Sequence, residues 1–170
     1  MPPTVLGLSA DSKAKSAATM NTDGKGNRLD TISKRNHAAA REIETLFWRC
    51  MCDNPAAAVE YISEDAVIIN PLFNNYRSSK PLHKESDPTL VQVLENAEPW
   101  SGFRIHGDPG VVEVDLMAVA LVYKVSLYRQ SKKGGMREVV ASASSTWRQT
   151  AGADWLLVAH HVGYAEEEDE

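Results

Sequence analysis

Two stretches of the sequence decide the fold: Asp65-Ala66-Val67-Ile68-Ile69-Asn70-Pro71, and Ser144-Ser145-Thr146-Trp147 with Asp154-Trp155-Leu156-Leu157-Val158-Ala159-His160-His161. The first is a short apolar run of the kind that forms a buried strand, and a proline ends it because proline cannot donate to a strand ladder. The second predicts two strands that are joined by a turn of small residues, and each strand carries a tryptophan. The end of the chain is therefore expected to form an antiparallel hairpin.

Upstream of the first strand the apolar residues follow a helical period. They recur at spacings of three and four, which is typical of one apolar helix face, at Ile43, Leu46, Phe47, Cys50 and Met51. Two pairs, Asn54-Pro55 and Asp87-Pro88, each place a capping residue before a proline. They predict a second helix that ends near residue 61 and a third that ends near residue 96.

From residue 102 onwards the apolar period changes to two. One face of a long strand is apolar and comprises Val119, Leu121, Tyr123, Val125 and Leu127. One face of the next strand comprises Val139, Ala141, Ala143, Ser145 and Trp147. Helices that precede a run of hairpins predict an α+β fold, with about three helices packed on a curved antiparallel sheet.

Composition restricts the function. The length of 170 residues suits one domain, and we expect a disordered tail at 1–30, the folded domain at 31–165 and an acidic tail at 166–170. A net charge of −5 without a basic stripe argues against a nucleic-acid partner. No stretch approaches the roughly 20 apolar residues of a membrane span.

The cysteines and the remaining motifs predict neither a metal site nor a cofactor. Cys50 and Cys52 lie two apart in a helical pattern, so their side chains point to different faces and neither a disulfide nor a shared metal is expected. Free thiols favour a reducing compartment, and we predict a cytoplasmic protein. No metal-ligand spacing, phosphate-binding glycine loop or nucleophile elbow is present in the sequence.

The order of these elements over residues 36–165, with the Trp-turn-Trp ending, resembles the nuclear transport factor 2-like superfamily. The resemblance implies a cone-shaped α+β fold whose hollow interior holds ligands or active sites. Ketosteroid isomerase, polyketide cyclases and the association domain of calcium/calmodulin-dependent protein kinase II belong to this superfamily. It implies fold more strongly than activity, because function depends on the site.

Comparison with ketosteroid isomerase places unsuitable residues at that enzyme's functional positions. The resemblance puts Asn70 at the catalytic aspartate, Leu46 at the oxyanion-hole tyrosine and Ser145 at the protonated aspartate. That chemistry needs a carboxylate as proton shuttle and two strong donors at the developing enolate. We therefore predict that this chain does not isomerise steroids by that route.

The resemblance and the strand alternation together predict a ligand cavity on the inner face of the sheet. Its predicted lining is Leu46, Cys50, Asn70, Leu121, Tyr123, Ser145, Trp147, Val158 and His160. The acid/base candidates are His160 and Tyr123, because a histidine in a partly apolar cavity can accept a proton and a tyrosine can donate one. Each has a structural alternative: His160 as a buried, hydrogen-bonded residue, and Tyr123 as a core anchor.

Two functions remain open from the sequence. The first is a small-molecule-binding protein or cofactor-free isomerase, lyase or cyclase that acts on a small hydrophobic carbonyl compound. The second is a non-catalytic association module. Small residues on the outer faces of the strands, among them Ala118, Ala120, Ser142 and Ser144, predict a homodimer through the sheet.

Overall fold

The computed structural model describes residues 23–73 and 80–164, with side chains from residue 28 onwards. The chain divides into two compact units, Met1–Arg35 and Asn36–Glu170. The predicted tails fall outside the described residues over 1–22 and 165–170. All contacts of the sheet and its core described below belong to the second unit.

The described residues contain three helices in the predicted order, but neither predicted cap is made: the Asn54 side chain forms no cap hydrogen bond, and Thr89, not Asp87, caps the third helix. Helix α1 spans Asp23–Asp53, a 3-10 helix spans Pro55–Tyr61, and α2 spans Leu90–Glu95. Thr89 caps α2 in a capping box, in which its hydroxyl accepts from Gln92 N and the Gln92 side chain accepts from Thr89 N.

Helix α1 begins earlier than the sequence indicated. We expected disorder up to residue 30, but residues 23–30 are helical. The Gly24-Lys25-Gly26-Asn27 run that suggested a break falls in the first turn, where the backbone N–H groups have no partner within the helix in any case. An ion pair of 3.0 Å between Asp30 and Lys34 supports the next turn.

In the part of the chain that the structure describes, six strands form one sheet. Their bounds are β1 Ile62–Ile69, β2 Gly102–Ile105, β3 Gly110–Asp115, β4 Ala118–Gln130, β5 Met136–Gln149 and β6 Trp155–Tyr164. The strand order is β1-β6-β5-β4-β2, and β3 also pairs with β4. The α+β class is confirmed.

The sheet is mixed, whereas the sequence predicted a wholly antiparallel sheet. β1 runs parallel to β6, whereas every other pair is antiparallel. The sequence pattern showed hairpins only, because the partner of β1 lies about ninety residues further along the chain, as in the pair Ile68 and His160. Such a non-local pair leaves no turn signal between its strands.

The core lies between α1 and the inner face of the sheet. The predicted inner residues of β4 and β5 are buried, apart from the half-buried Val139, and they pack with Phe47, Trp48 and Met51 of α1. Phe47 contacts the rings of Trp48 and Trp147 edge-on, with centroids 5.9 and 6.3 Å apart. Large aromatic side chains therefore fill the space between α1 and the middle of the sheet.

Candidate functional site

A carboxylate lies buried in the core among hydrogen-bond donors. Glu44 of α1 is fully buried and faces β4 and β5. It accepts from the hydroxyl of Ser145 at 2.7 Å, from the hydroxyl of Tyr123 and from the indole N–H of Trp147. Trp48 Nε1 donates in turn to the Tyr123 oxygen at 2.5 Å. The sequence analysis did not select Glu44, although it is the residue on which these donors converge.

The hydrogen bonds beyond Ser145 have a defined direction. The Asn70 side-chain oxygen accepts from Leu72 N at 2.9 Å, so its amide nitrogen faces His160 Nε2 at 3.1 Å and donates to it. The neutral imidazole then carries its hydrogen on Nδ1 and donates to Ser145 Oγ at 2.8 Å. The Ser145 hydroxyl donates its hydrogen bond to Glu44. The series of hydrogen bonds that starts at Asn70 therefore ends at the Glu44 carboxylate.

Burial shifts the pKa of each titratable group in this network, which we call the Glu44 network (Glu44, Trp48, Asn70, Tyr123, Ser145, Trp147 and His160). Desolvation raises the pKa of Glu44, although its three donors oppose the rise. Desolvation, together with the Glu44 charge, raises the pKa of Tyr123 well above its usual value. Desolvation lowers the pKa of His160 to about 3, so its imidazole is neutral at pH 7.

The two acid/base candidates therefore lie in one network but do not touch each other. Ser145 and Glu44 separate His160 from Tyr123, both ring nitrogens of His160 are engaged, and its ring packs 5.1 Å from that of Phe47. A serine that is bonded to both the histidine and the carboxylate also differs from a nucleophilic triad, in which the histidine occupies the middle position. The catalytic role of His160 and Tyr123 stays a prediction, and the geometry fits their structural alternatives.

The two predicted lining residues on α1 lie at the edge of the core and not beside Ser145. Leu46 and Cys50 are half-buried and line a shallow groove beside the 3-10 helix, away from Ser145. Positions two apart on a helix differ by roughly 200° in direction, so Glu44 faces the sheet while Leu46 does not. Glu44, and not Leu46, is therefore the α1 residue that meets Ser145.

Val158 was also placed on the wrong face. The β5–β6 register shifts between Thr146, which pairs with Ala159, and Trp147, which pairs with Leu157. Val158 is the extra residue of this bulge and is half-buried, whereas Leu157 is fully buried on the inner face. The remaining predicted lining residues, Asn70, Leu121, Tyr123, Ser145, Trp147 and His160, are buried in the core, and their ligand-binding role stays a prediction.

A cavity of about 360 Å³ opens at the end of the sheet where β4 ends and β5 begins. We call it the arginine cavity, and its lining is Pro71, Leu72, Trp100, Arg129, Arg137, Val139 and Tyr164. The Arg129 guanidinium lies 3.8 Å from the centre of the Trp100 ring. It also donates to the Glu98 carbonyl at 3.0 Å. None of these side chains was selected from the sequence, because five separate segments of the chain contribute them.

Solved structures show which fold this arrangement belongs to. The association domain of C. elegans calcium/calmodulin-dependent protein kinase II is 12% identical, with a TM-score of 0.60 over 79% of this chain and 98% of that one. A Salmonella enterica serovar Typhimurium protein of the nuclear transport factor 2-like superfamily is 9% identical, with a TM-score of 0.59 over 83% and 96%. A Parabacteroides distasonis protein provisionally described as a ketosteroid isomerase is 16% identical, with a TM-score of 0.58 over 75% and 88%.

This chain has the nuclear transport factor 2-like fold. The predicted resemblance is thereby confirmed for the fold. No protein-family model matches the chain, and no curated protein matches it.

The outer face of this nuclear transport factor 2-like sheet carries small and apolar side chains. Paired residues on five strands form one row across it: Val112, Ala120, Thr146, Ala159 and Val67. The adjacent row is Gly110, Val122, Ser144, His161 and Ile69. Val67, Val112 and Val122 are exposed at 39%, 57% and 57%. Five strands spaced about 4.8 Å apart make this outer face roughly 19 Å wide.

Within 23–73 and 80–164, no group of three or more His, Cys, Asp or Glu side chains could hold a metal ion. None of the helices in those ranges is long and apolar enough to cross a membrane. Cys50 and Cys52 are free, and burial raises the pKa of both thiols.

Proposed function

We propose that this domain binds a small organic molecule in the arginine cavity. The observation that carries the proposal is the cavity itself: its volume of about 360 Å³ lies within the range of small-molecule sites, roughly 300–1,000 Å³. Polar groups make up the larger part of its exposed walls, and apolar side chains such as Leu72 and Val139 complete the lining. Convergent polar groups beside an apolar surface can orient a small ligand.

The position of the Glu44 network supports binding at the arginine cavity over chemistry at His160. Proton transfer from a ligand to His160 would require Asn70 to release Nε2, and a base with a pKa of about 3 is weak at neutral pH. Tyr123 likewise gives its hydrogen to Glu44. An isomerase, lyase or cyclase that uses these two residues would therefore need the core to open during each turnover.

A cavity-filling variant tests the proposal. Val139→Trp places a large side chain in the arginine cavity, whereas Val112→Trp adds the same ring on the exposed outer face. Four small probes (benzoate, benzamide, hexanoate and hexanamide) are titrated while the indole resonances are followed by NMR. We expect at least one probe to bind the unmodified protein and the Val112→Trp control, and none to bind Val139→Trp. Binding that persists in a folded Val139→Trp variant would reject the cavity as the site.

The second candidate function is self-association through the outer face. Three exposed valines in flat rows of small residues leave apolar area that a second copy of the same face would cover. The two functions are compatible, because the arginine cavity lies on the inner side of the sheet. The predicted homodimer belongs to this proposal, and so does the cytoplasmic location, which the free, half-buried thiols favour.

Light scattering on two matched variants tests the association. Val122→Glu introduces a charge in the middle of the outer face, and Met136→Glu makes the same change at an exposed position near the start of β5. We expect a dimer for the unmodified protein and for Met136→Glu, and a monomer for Val122→Glu. A monomeric unmodified protein at micromolar concentration would exclude this second function.

A further inference from the structure

The arginine cavity holds two positive charges on neighbouring strands. Arg129 and Arg137 are directly paired residues of β4 and β5, so both side chains lie on the inner side of the sheet. Like charges directly opposite each other on paired strands are destabilising. An anion that binds between two such arginines reduces their repulsion and so stabilises the site.

Nearby groups partly offset the positive charge of one of the two arginines, Arg129. Arg129 is held by the Trp100 ring and the Glu98 carbonyl, and its guanidinium lies 4.0 Å from the exposed Glu98 carboxylate. Arg137 is exposed, and among the residues at 23–73 and 80–164 no carboxylate lies within ion-pair distance of it. The pair therefore presents one fixed and one adjustable guanidinium to the cavity.

We propose that the ligand of this cavity is a small monocarboxylate with an apolar body, an inference that rests on the proposed binding function. A planar guanidinium matches a carboxylate through two parallel hydrogen bonds. Leu72, Val139 and the Trp100 ring supply apolar surface for the rest of the molecule. The cavity lining includes neither a glycine nor a helix N-terminus, the backbone features that phosphate sites use, and this favours a carboxylate.

The four probes named above separate this inference from the function on which it rests. Each acid has an uncharged amide of nearly the same shape, so the pairs benzoate and benzamide, and hexanoate and hexanamide, isolate the contribution of the charge. We expect the acids to bind roughly tenfold to a hundredfold more tightly than the amides, since hydrogen bonds to charged groups contribute about 1.5–3 kcal/mol.

Arg137→Gln removes the adjustable guanidinium, and Arg104→Gln is the matched control. Arg104 is an exposed arginine of β2, and the residue paired with it, Ser126, points away from the inner face of β4. Arg104→Gln changes the net charge of the protein by the same amount as Arg137→Gln. Arg137→Gln should weaken benzoate and hexanoate by roughly tenfold or more and leave the amides unchanged. Arg104→Gln should alter neither class of probe.

Each other outcome rejects the inference in an identifiable way. Amides that bind as tightly as the acids would overturn the carboxylate class while the binding function stands. Inorganic phosphate that displaces benzoate at equal concentration would also overturn it. Failure of all four probes to bind would reject both the ligand class and the proposed function.

Discussion

Lowering the pH should destabilise this protein through one buried histidine. The pKa of His160 is lowered from 6.5 to about 3 by burial, so between these values the unfolded chain binds a proton that the folded chain does not. Stability is therefore fully present above pH 6.5 and is lost as the pH falls towards 3. With about 1.4 kcal/mol per pH unit, the loss attributable to His160 is about 2 kcal/mol at pH 5 and about 4 kcal/mol at pH 3, where the folded protein also begins to bind the proton.

Urea unfolding at pH 8, 6 and 5, followed by tryptophan fluorescence, measures this effect. His160→Gln lacks the titrating ring, so its free energy of unfolding should fall by about 2 kcal/mol less between pH 8 and pH 5 than that of the unmodified protein. The raised pKa of Glu44 acts in the opposite direction, but Glu44 is present in both proteins and its effect largely cancels in the comparison.

The exposed neighbour His161 provides the control. His161→Gln should retain most of the pH dependence of the unmodified protein, because burial is the larger cause of the lowered His160 pKa and the charge of the exposed His161 is the smaller one. Equal pH dependence in His160→Gln and the unmodified protein would refute the claim that a neutral, desolvated imidazole is built into the core.

Three further outcomes are expected. Glu44→Ala should lower the free energy of unfolding in urea by roughly 3 kcal/mol or more, since three buried donors lose their acceptor. Glu44→Gln should lower it less, because the amide retains one acceptor oxygen. A loss below about 1 kcal/mol for Glu44→Ala would contradict this expectation. Neither the unmodified protein nor Asn70→Asp should isomerise a steroid double bond in a spectrophotometric assay, because the Asn70 side chain is committed to His160 and Leu72 N. Thr89→Ala should cost about 1 kcal/mol in the same urea measurement by removing the α2 cap, and an unchanged midpoint would show that the cap is not needed.

The fold was predictable because its signals are local. A period of two along β4 and β5, and the proline that begins the 3-10 helix, each depend on neighbouring residues only. The parallel pairing of β1 with β6 has no local signal, so a purely antiparallel sheet was expected.

The errors in the site have two separate physical causes. Of the apolar stripe predicted on α1, Phe47 and Met51 are buried in the core, whereas Leu46 and Cys50 lie at its edge, and the α1 side chain that meets Ser145 is the charged Glu44. A buried carboxylate is tolerated only where donors meet it, and those donors are supplied by strands 79 to 103 residues away in the sequence. The bulge at Val158 then reversed the alternation on which the β6 assignment depended.

The direction of the hydrogen bonds in the Glu44 network has a consequence for how this core can change during evolution. Each side chain of the network donates a hydrogen bond to a neighbouring side chain or accepts one from it. Replacement of one of these residues therefore leaves its neighbour buried without a hydrogen-bond partner. Substitutions at Glu44, Tyr123, Ser145 and His160 are therefore expected to occur as a set, whereas Leu121 beside them can exchange with other apolar residues of similar volume. In related sequences, those four positions would vary together, and a homologue with an apolar residue at position 44 would carry no serine at 145.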